Sequence, residues 1–229
     1  DSENAPYGEK SEEKIIALCE KNTEFLLKRN CKLIVVACNT ATTNAIDFLR
    51  NKYHIPFIGI EPAIKPAALS TKTKTIGILA TKGTLNSTLF EKTANSIQKD
   101  IQIKETIGKG LVELIERGKL NSQEMTSLLS SYLQPMIANN IDSLVLGCTH
   151  YPYLIPQIRK IVGEKLQIID SGEAVAKQTK AVLTRHNLLN KEGCKKLQHL
   201  LYINKDTAVL ENLVLDTTTR KIKIMKLKF

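Results

Sequence analysis

Short apolar runs alternating with longer amphipathic stretches predict an α/β fold built on parallel strands. Three observations carry that reading. The run Leu33-Ile34-Val35-Val36-Ala37-Cys38 is continuously apolar, as a strand covered on both faces requires. The stretch before it places Ile15, Ile16, Leu18, Cys19, Phe25, Leu26 and Leu27 at helical spacing. Finally, Val35-Val36-Ala37-Cys38-Asn39-Thr40 is echoed by Val145-Leu146-Gly147-Cys148-Thr149-His150, so the strand-to-turn unit is used twice.

In order along the chain, residues 11–28 read as a helix, with Ser11 as cap, Glu12 and Glu13 at its start, and Lys28 and Arg29 at its end. A strand over 33–37, a helix over 41–50 closed near Pro56, and a short strand over 57–60 follow. The pattern resumes with a strand over 75–80, the turn Thr81-Lys82-Gly83-Thr84, a helix over 86–99 and a weak strand over 101–104. Helices over 110–117 and 122–139, a strand over 143–146, a helix over 156–162 and a strand over 166–169 complete that half. A long amphipathic helix covers 171–186, where Asp170 and Ser171 read as an N-cap. The segment 220–229 alternates Lys with Ile, Met, Leu and Phe. It reads as an edge strand guarded by lysines in preference to a basic arm for nucleic acid.

The chain has 229 residues, 42% hydrophobic and 24% charged, which excludes disorder and is enough for one large or two small domains. The longest apolar run is far too short to cross a bilayer. Five cysteines without a CxxC pair suit reduced thiols and a cytoplasmic setting better than a disulfide framework. With 33 Lys and Arg against 23 Asp and Glu the net charge is +10, which attracts anions. The lysines are dispersed, aromatics are 5% and Trp is absent, which argues against a nucleic-acid stacking surface.

The two thiols are the most informative feature. Cys38 and Cys148 each follow a small residue at the end of a hydrophobic strand, where parallel sheets expose their functional groups. The helix that follows such a turn favours a thiolate. Cys19, Cys31 and Cys194 lack that context and read as core. A metal site would need Cys38, Cys148, His150 and a fourth ligand, but Cys-x-His is not a usual zinc spacing and no second pair exists. Two thiols in mirrored settings suit inversion of a stereocentre, one removing a proton from one face and the other delivering a proton to the opposite face. A thiol, with an ordinary pKa of about 8.5, can serve either way with modest tuning.

Four segments resemble bacterial glutamate racemase of the aspartate/glutamate racemase family, and the resemblance spans the chain. They are Asp1-Ser2 with Ala5-Pro6-Tyr7-Gly8 and Lys10-Ser11, Ala37-Cys38-Asn39-Thr40-Ala41-Thr42, Gly147-Cys148-Thr149-His150-Tyr151-Pro152, and Asp170-Ser171-Gly172-Glu173-Ala174-Val175. The resemblance implies two pseudosymmetric α/β lobes around a cleft, with 1–62 plus 171–229 in the first and 63–170 in the second. It also implies cofactor-independent interconversion of L- and D-glutamate, supplying D-glutamate for peptidoglycan and hence for the cell wall and cell shape. By that match Cys38 serves the D-enantiomer, Cys148 the L-enantiomer, and His150 assists Cys148. Without the match, a histidine in a turn is as readily a structural hydrogen-bonding residue. Pro6, Tyr7, Gly8, Asn39, Thr40, Thr84 and Thr149 match substrate-binding positions, with Thr84 lining the pocket from the second lobe. No metal and no membrane enter this reading, and a homodimer is left open.

The family also carries an aspartate-serine-glycine block on a first strand well ahead of the Pro-Tyr-Gly loop, and the given sequence starts near that loop. Asp170-Ser171-Gly172 looks alike but matches a different family position. The expectation is either a longer chain or a protein without the first strand and helix, in which Cys38 loses its helper, part of the cleft wall opens, and activity is feeble or absent. Two rivals stay open: an aspartate racemase, whose substrate is one methylene shorter, and an inactive racemase-like protein that binds a partner or nucleic acid through its basic surface.

Overall fold

The computed structural model describes residues 1–97, 100–190, 199–215 and 222–228. The chain begins with two short 3-10 turns, Ser2–Asn4 and Tyr7–Glu9. Then come α1 (Glu12–Leu27), β1 (Ile34–Val36), α2 (Asn39–Lys52) and β2 (Phe57–Gly59). Ser11 caps α1 by accepting from the Lys14 N–H at 3.4 Å, and Glu12 and Glu13 complement the helix dipole. β1 and β2 pair in parallel, Ile34 opposite Phe57. Ile15, Cys19, Ala41, Ala45, Ile46 and Leu49 seal α1 and α2 onto that pair.

The central part runs through α3 (Ile64–Ser70), β3 (Thr75–Ala80), α4 (Lys82–Leu85), α5 (Thr88–Asn95), β4 (Gln102–Ile107) and α6 (Leu111–Glu116). It ends with α7 (Gln123–Ala138), β5 (Ser143–Gly147), the 3-10 turn Tyr151–Leu154, α8 (Ile155–Val162) and β6 (Gln167–Ile169). Its strands form one parallel sheet in the order β4-β3-β5-β6. The inner strands β3 and β5 are buried along their whole length, because both faces are covered. On one face Ile76, Ile78 and Val145 meet Ile64, Ala67 and Phe90; on the other Leu79, Leu144 and Leu146 meet Leu111, Ile115, Leu129 and Leu133. That alternation is the two-residue period of a strand.

The last part holds α9 (Gly172–Arg185), β7 (His199–Ile203), α10 (Ala208–Leu215) and β8 (Ile222–Lys226). β7 and β8 pair in parallel, joined through α10. Tyr202 of β7 meets Phe25 of α1 edge-on at 5.2 Å, with the Arg29 guanidinium 3.5 Å from the Phe25 ring centre.

Several boundaries differ from the sequence reading. α2 begins at Asn39, two residues ahead of 41, because the Cys38 sulfur occupies the cap position. The helix expected over 86–99 starts at Thr88, where Ser87 caps a new helix by accepting from Phe90 N–H at 3.2 Å; residues 98 and 99 lie outside the described ones. The weak strand over 101–104 is a full partner of β3 and reaches Ile107. Ser171 stands at the cap position of α9 without a capping side-chain bond: its hydroxyl donates to the Glu61 carbonyl, and Asp170 accepts from Gly172 N–H at 2.7 Å instead. Within the basic segment 220–229, residues 222–226 form β8, with Lys223 and Lys226 exposed; Arg220, Lys221, Phe229 and Cys194 lie outside the described residues. α3, β7 and α10 were not anticipated.

Candidate active site

Three strands deliver their carboxyl ends to one cavity of about 370 Å³, within the ~300–1,000 Å³ usual for ligand sites. After β1 comes Ala37-Cys38, after β3 Thr81, and after β5 Cys148-Thr149-His150; all of these line it. Pro6, Tyr7, Gly8, Asn39 and Thr40 complete the same wall. Neither Lys nor Arg is among the lining residues, whereas Asp1 and Glu116 are, so an anion there depends on amides, hydroxyls and the amino end of α2.

Cys38 caps α2, its sulfur accepting from Ala41 N–H at 3.5 Å. Burial pushes this thiol up, against the opposing pull of the Ala41 and Thr40 N–H groups. Cys148 is 8% exposed. Burial pushes its pKa up to about 12, and the charge of Cys38 adds to that while the His150 and Tyr151 N–H groups oppose it. Both thiols are therefore held as protonated reservoirs until something in the cavity favours a thiolate. The small residue before Cys148 is required sterically: a Cβ on Gly147 would stand 2.5 Å from the Ala80 Cβ on the neighbouring strand end.

Behind Cys148 lies a relay that has no counterpart behind Cys38 among the described residues. His150 Nδ1 is 3.9 Å from the Cys148 sulfur, and its Nε2 is 2.8 Å from Glu116 Oε1 at the end of α6. Burial raises the Glu116 carboxyl, but the hydrogen bond and charge of His150, the charge of Lys205 and a bond from Ser2 hold it below its ordinary value. An ionised Glu116 accepts the Nε2 proton, which leaves Nδ1 free to accept from the Cys148 thiol.

Around the Pro-Tyr-Gly loop, the Tyr7 hydroxyl donates to Asp1 at 2.5 Å and accepts from Asn22 at 3.3 Å. Asn204, past the end of β7, donates to Asp1 and accepts from Glu3 N–H at 3.0 Å. The Asn39 side-chain amide is buried without a protein partner, a donor available to a ligand. Thr84 stands elsewhere than expected. It is fully buried, is not on the cavity wall, and lies behind Thr81, at 2.9 Å from the Thr81 hydroxyl and 3.3 Å from that of Thr40.

Sequence reasoning missed Thr81 and Glu116. Thr81 had a legible signal, since it follows β3 as Cys38 follows β1. Glu116 had none: it ends a short helix 34 residues before its histidine.

The description "Asp/Glu/Hydantoin racemase" fits residues 1–179. The glutamate racemase of Herpetosiphon aurantiacus is 44% identical over 190 residues, covering 83% of this chain and 75% of that protein. Among solved structures, glutamate racemase isoform RacE1 of Bacillus anthracis superposes with a TM-score of 0.84 at 29% identity, covering 100% of this chain and 86% of that one. The Escherichia coli glutamate racemase, solved with L-glutamate and the activator UDP-MurNAc-Ala, gives 0.81 at 29% identity, covering 98% and 86%. With the parallel α/β architecture of the glutamate racemases and a match across most of its length, this chain belongs to the Asp/Glu/hydantoin racemase family.

Proposed function

We propose that the cavity binds glutamate and that Cys38 and Cys148 exchange its α-proton between opposite faces. The observation that carries this reading is the delivery of two thiols to one cavity from the ends of strands in two different sheets. In the D-to-L direction the Cys38 thiolate takes the α-proton, the electron pair passes into the carboxylate-stabilised carbanion, and the Cys148 S–H protonates the other face. The L-to-D direction runs in reverse, with Glu116 and His150 helping Cys148 to give up its proton. Asn39, Thr40, Thr81 and Thr149 supply neutral donors for the carboxylates, which stabilise developing charge without protonating the carbanion. The sheets support a division into lobes at 62 and 170, with β3 to β6 forming the second. D-glutamate made this way would serve peptidoglycan synthesis.

Incubation of the protein with L-glutamate in deuterium oxide tests this. Loss of optical rotation with deuterium appearing at Cα is expected, with aspartate turned over about 10- to 200-fold more slowly, the range one methylene allows. Absence of exchange at Cα would overturn the reaction, and faster exchange with aspartate would overturn the substrate.

A further inference from the structure

We propose that Thr84 is a positioning residue whose buried hydroxyl orders the hydroxyls of Thr40 and Thr81, so that Thr40 directs its O–H at a bound carboxylate. The inference rests on the proposed carboxylate site and assigns Thr84 a role that does not touch substrate.

The three hydroxyls form a ring. Thr40 to Thr81 is 2.8 Å, Thr81 to Thr84 is 2.9 Å and Thr40 to Thr84 is 3.3 Å. Thr40 belongs to the first turn of α2, whereas Thr81 and Thr84 belong to α4 and its cap, so the ring joins elements that follow strands of two separate sheets. Glycines permit the approach. A Cβ on Gly83 would stand 2.7 Å from Thr40 Cγ2 and 3.2 Å from the Gly8 carbonyl, and one on Gly8 would stand 2.8 Å from Thr81 Cβ.

Each hydroxyl has one proton and two lone pairs. Closed on itself, the ring uses its three protons in its three contacts and has none for a ligand. A carboxylate only accepts, so binding must draw one proton outward and leave one contact without its hydrogen. Thr84 is fully buried and off the cavity wall, so it is not the outward donor. It therefore stands first or second in the chain, never last. Thr81 Oγ1 already accepts from the Thr84 backbone N–H at 3.3 Å, which leaves it one further lone pair and one proton. Four orders satisfy these limits, and the two that pass through Thr84 give up the 2.8 Å contact between Thr40 and Thr81. Of the other two, Thr84 to Thr81 to Thr40 to carboxylate gives up only the 3.3 Å contact, while Thr84 to Thr40 to Thr81 to carboxylate gives up the 2.9 Å contact. The first keeps both short bonds, so Thr40 is the outward donor. Donation along such a chain also polarises its last member.

The test uses glutarate, a dicarboxylate with no α-amino group and no stereocentre, so that binding is read apart from racemisation. Calorimetric titration of Thr84→Val should show glutarate bound about three- to tenfold more weakly than by the wild type, the range of one net hydrogen bond. The KM for glutamate should rise by a similar factor with kcat within about twofold. Thr84→Ser, which keeps the hydroxyl, should restore both. Should Thr84→Val not fold, Thr84→Ala against Thr84→Ser makes the same comparison. Equal affinities for the hydroxyl-bearing and hydroxyl-free variants, or a loss confined to kcat or to thermal stability, would overturn the positioning role. Wild-type protein that binds glutarate but racemises nothing would remove the proposed reaction and leave this inference standing; wild-type protein that does not bind glutarate would overturn it.

Discussion

Cys148 and Cys38 differ in what stands behind them, and that difference is testable one residue at a time. L- and D-glutamate are equal in free energy, so any variant lowers kcat/KM equally in both directions, and racemisation cannot reveal which thiol serves which face. Elimination from an analogue with a leaving group on the β-carbon can, because it needs one base only. Glu116 reaches Cys148 through His150 at 2.8 Å. Glu116→Gln should therefore slow elimination from the L-analogue about 10²-fold and leave the D-analogue within a few-fold. Equal loss for both would place Glu116 in the fold and outside the relay. The thiols themselves are pushed up by burial, Cys148 to about 12. A raised pKa means the thiolate fraction is small at neutrality and grows about tenfold for each pH unit below the pKa. Alkylation of Cys38 and Cys148 by iodoacetamide in the ligand-free protein should therefore keep accelerating through pH 9. A plateau near the ordinary thiol pKa of about 8.5 would contradict the effect of burial.

At the scale of elements, the site depends on how closely strand ends and helix starts approach one another. α4 lies against α2 and the Pro-Tyr-Gly loop only because residue 83 has no side chain. Gly83→Ala should cost about 1–3 kcal/mol of stability by overpacking and raise KM, read by thermal unfolding and kinetics together; unchanged values would mean the approach is not needed. Asp142 plays the corresponding role at the other end of the sheet. It accepts from Thr71 Oγ1 at 2.6 Å, Lys72 N–H at 2.5 Å and Thr73 N–H at 3.0 Å. Burial raises its carboxyl, but these bonds outweigh it and hold the pKa below the ordinary value. A depressed carboxyl stabilises above its unfolded pKa and loses that contribution as pH falls through the folded one. Asp142→Asn should thus lower the unfolding midpoint at pH 7 and narrow the gap to wild type below about pH 3.9; a gap independent of pH would contradict it. The same elements show what the sequence disclosed. β1, β3 and β5 were legible because continuous apolar runs bounded by turns mark covered strands. β7 and α10 were not, since Leu200 and its neighbours are half-exposed and carry no clear period. The shift of α2 to Asn39 was hidden because a cysteine is not an expected cap.

For the whole molecule, the site draws together residues from both ends of the chain. Asn204, 203 residues beyond Asp1, helps fix the loop that precedes α1, and the Arg29 guanidinium lies against the rings of both Phe25 and Tyr202. The repeat around Cys38 and Cys148 was readable because both cysteines follow a small residue at the end of an apolar strand, although Cys38 caps α2 while Cys148 leads into a 3-10 turn. The partners Glu116 and Thr81 come from other elements, and no local pattern announces which elements fold against one another. The central claim is that each thiol works one face, and separate elimination assays on Cys38→Ser and Cys148→Ser with the two enantiomers of a β-chlorinated glutamate analogue test it most directly. A serine hydroxyl is too weak an acid to supply the missing base at neutral pH. Cys38→Ser should retain elimination from the L-analogue and Cys148→Ser from the D-analogue, while neither racemises glutamate. Equal loss of both enantiomers in both folded variants would contradict the assignment.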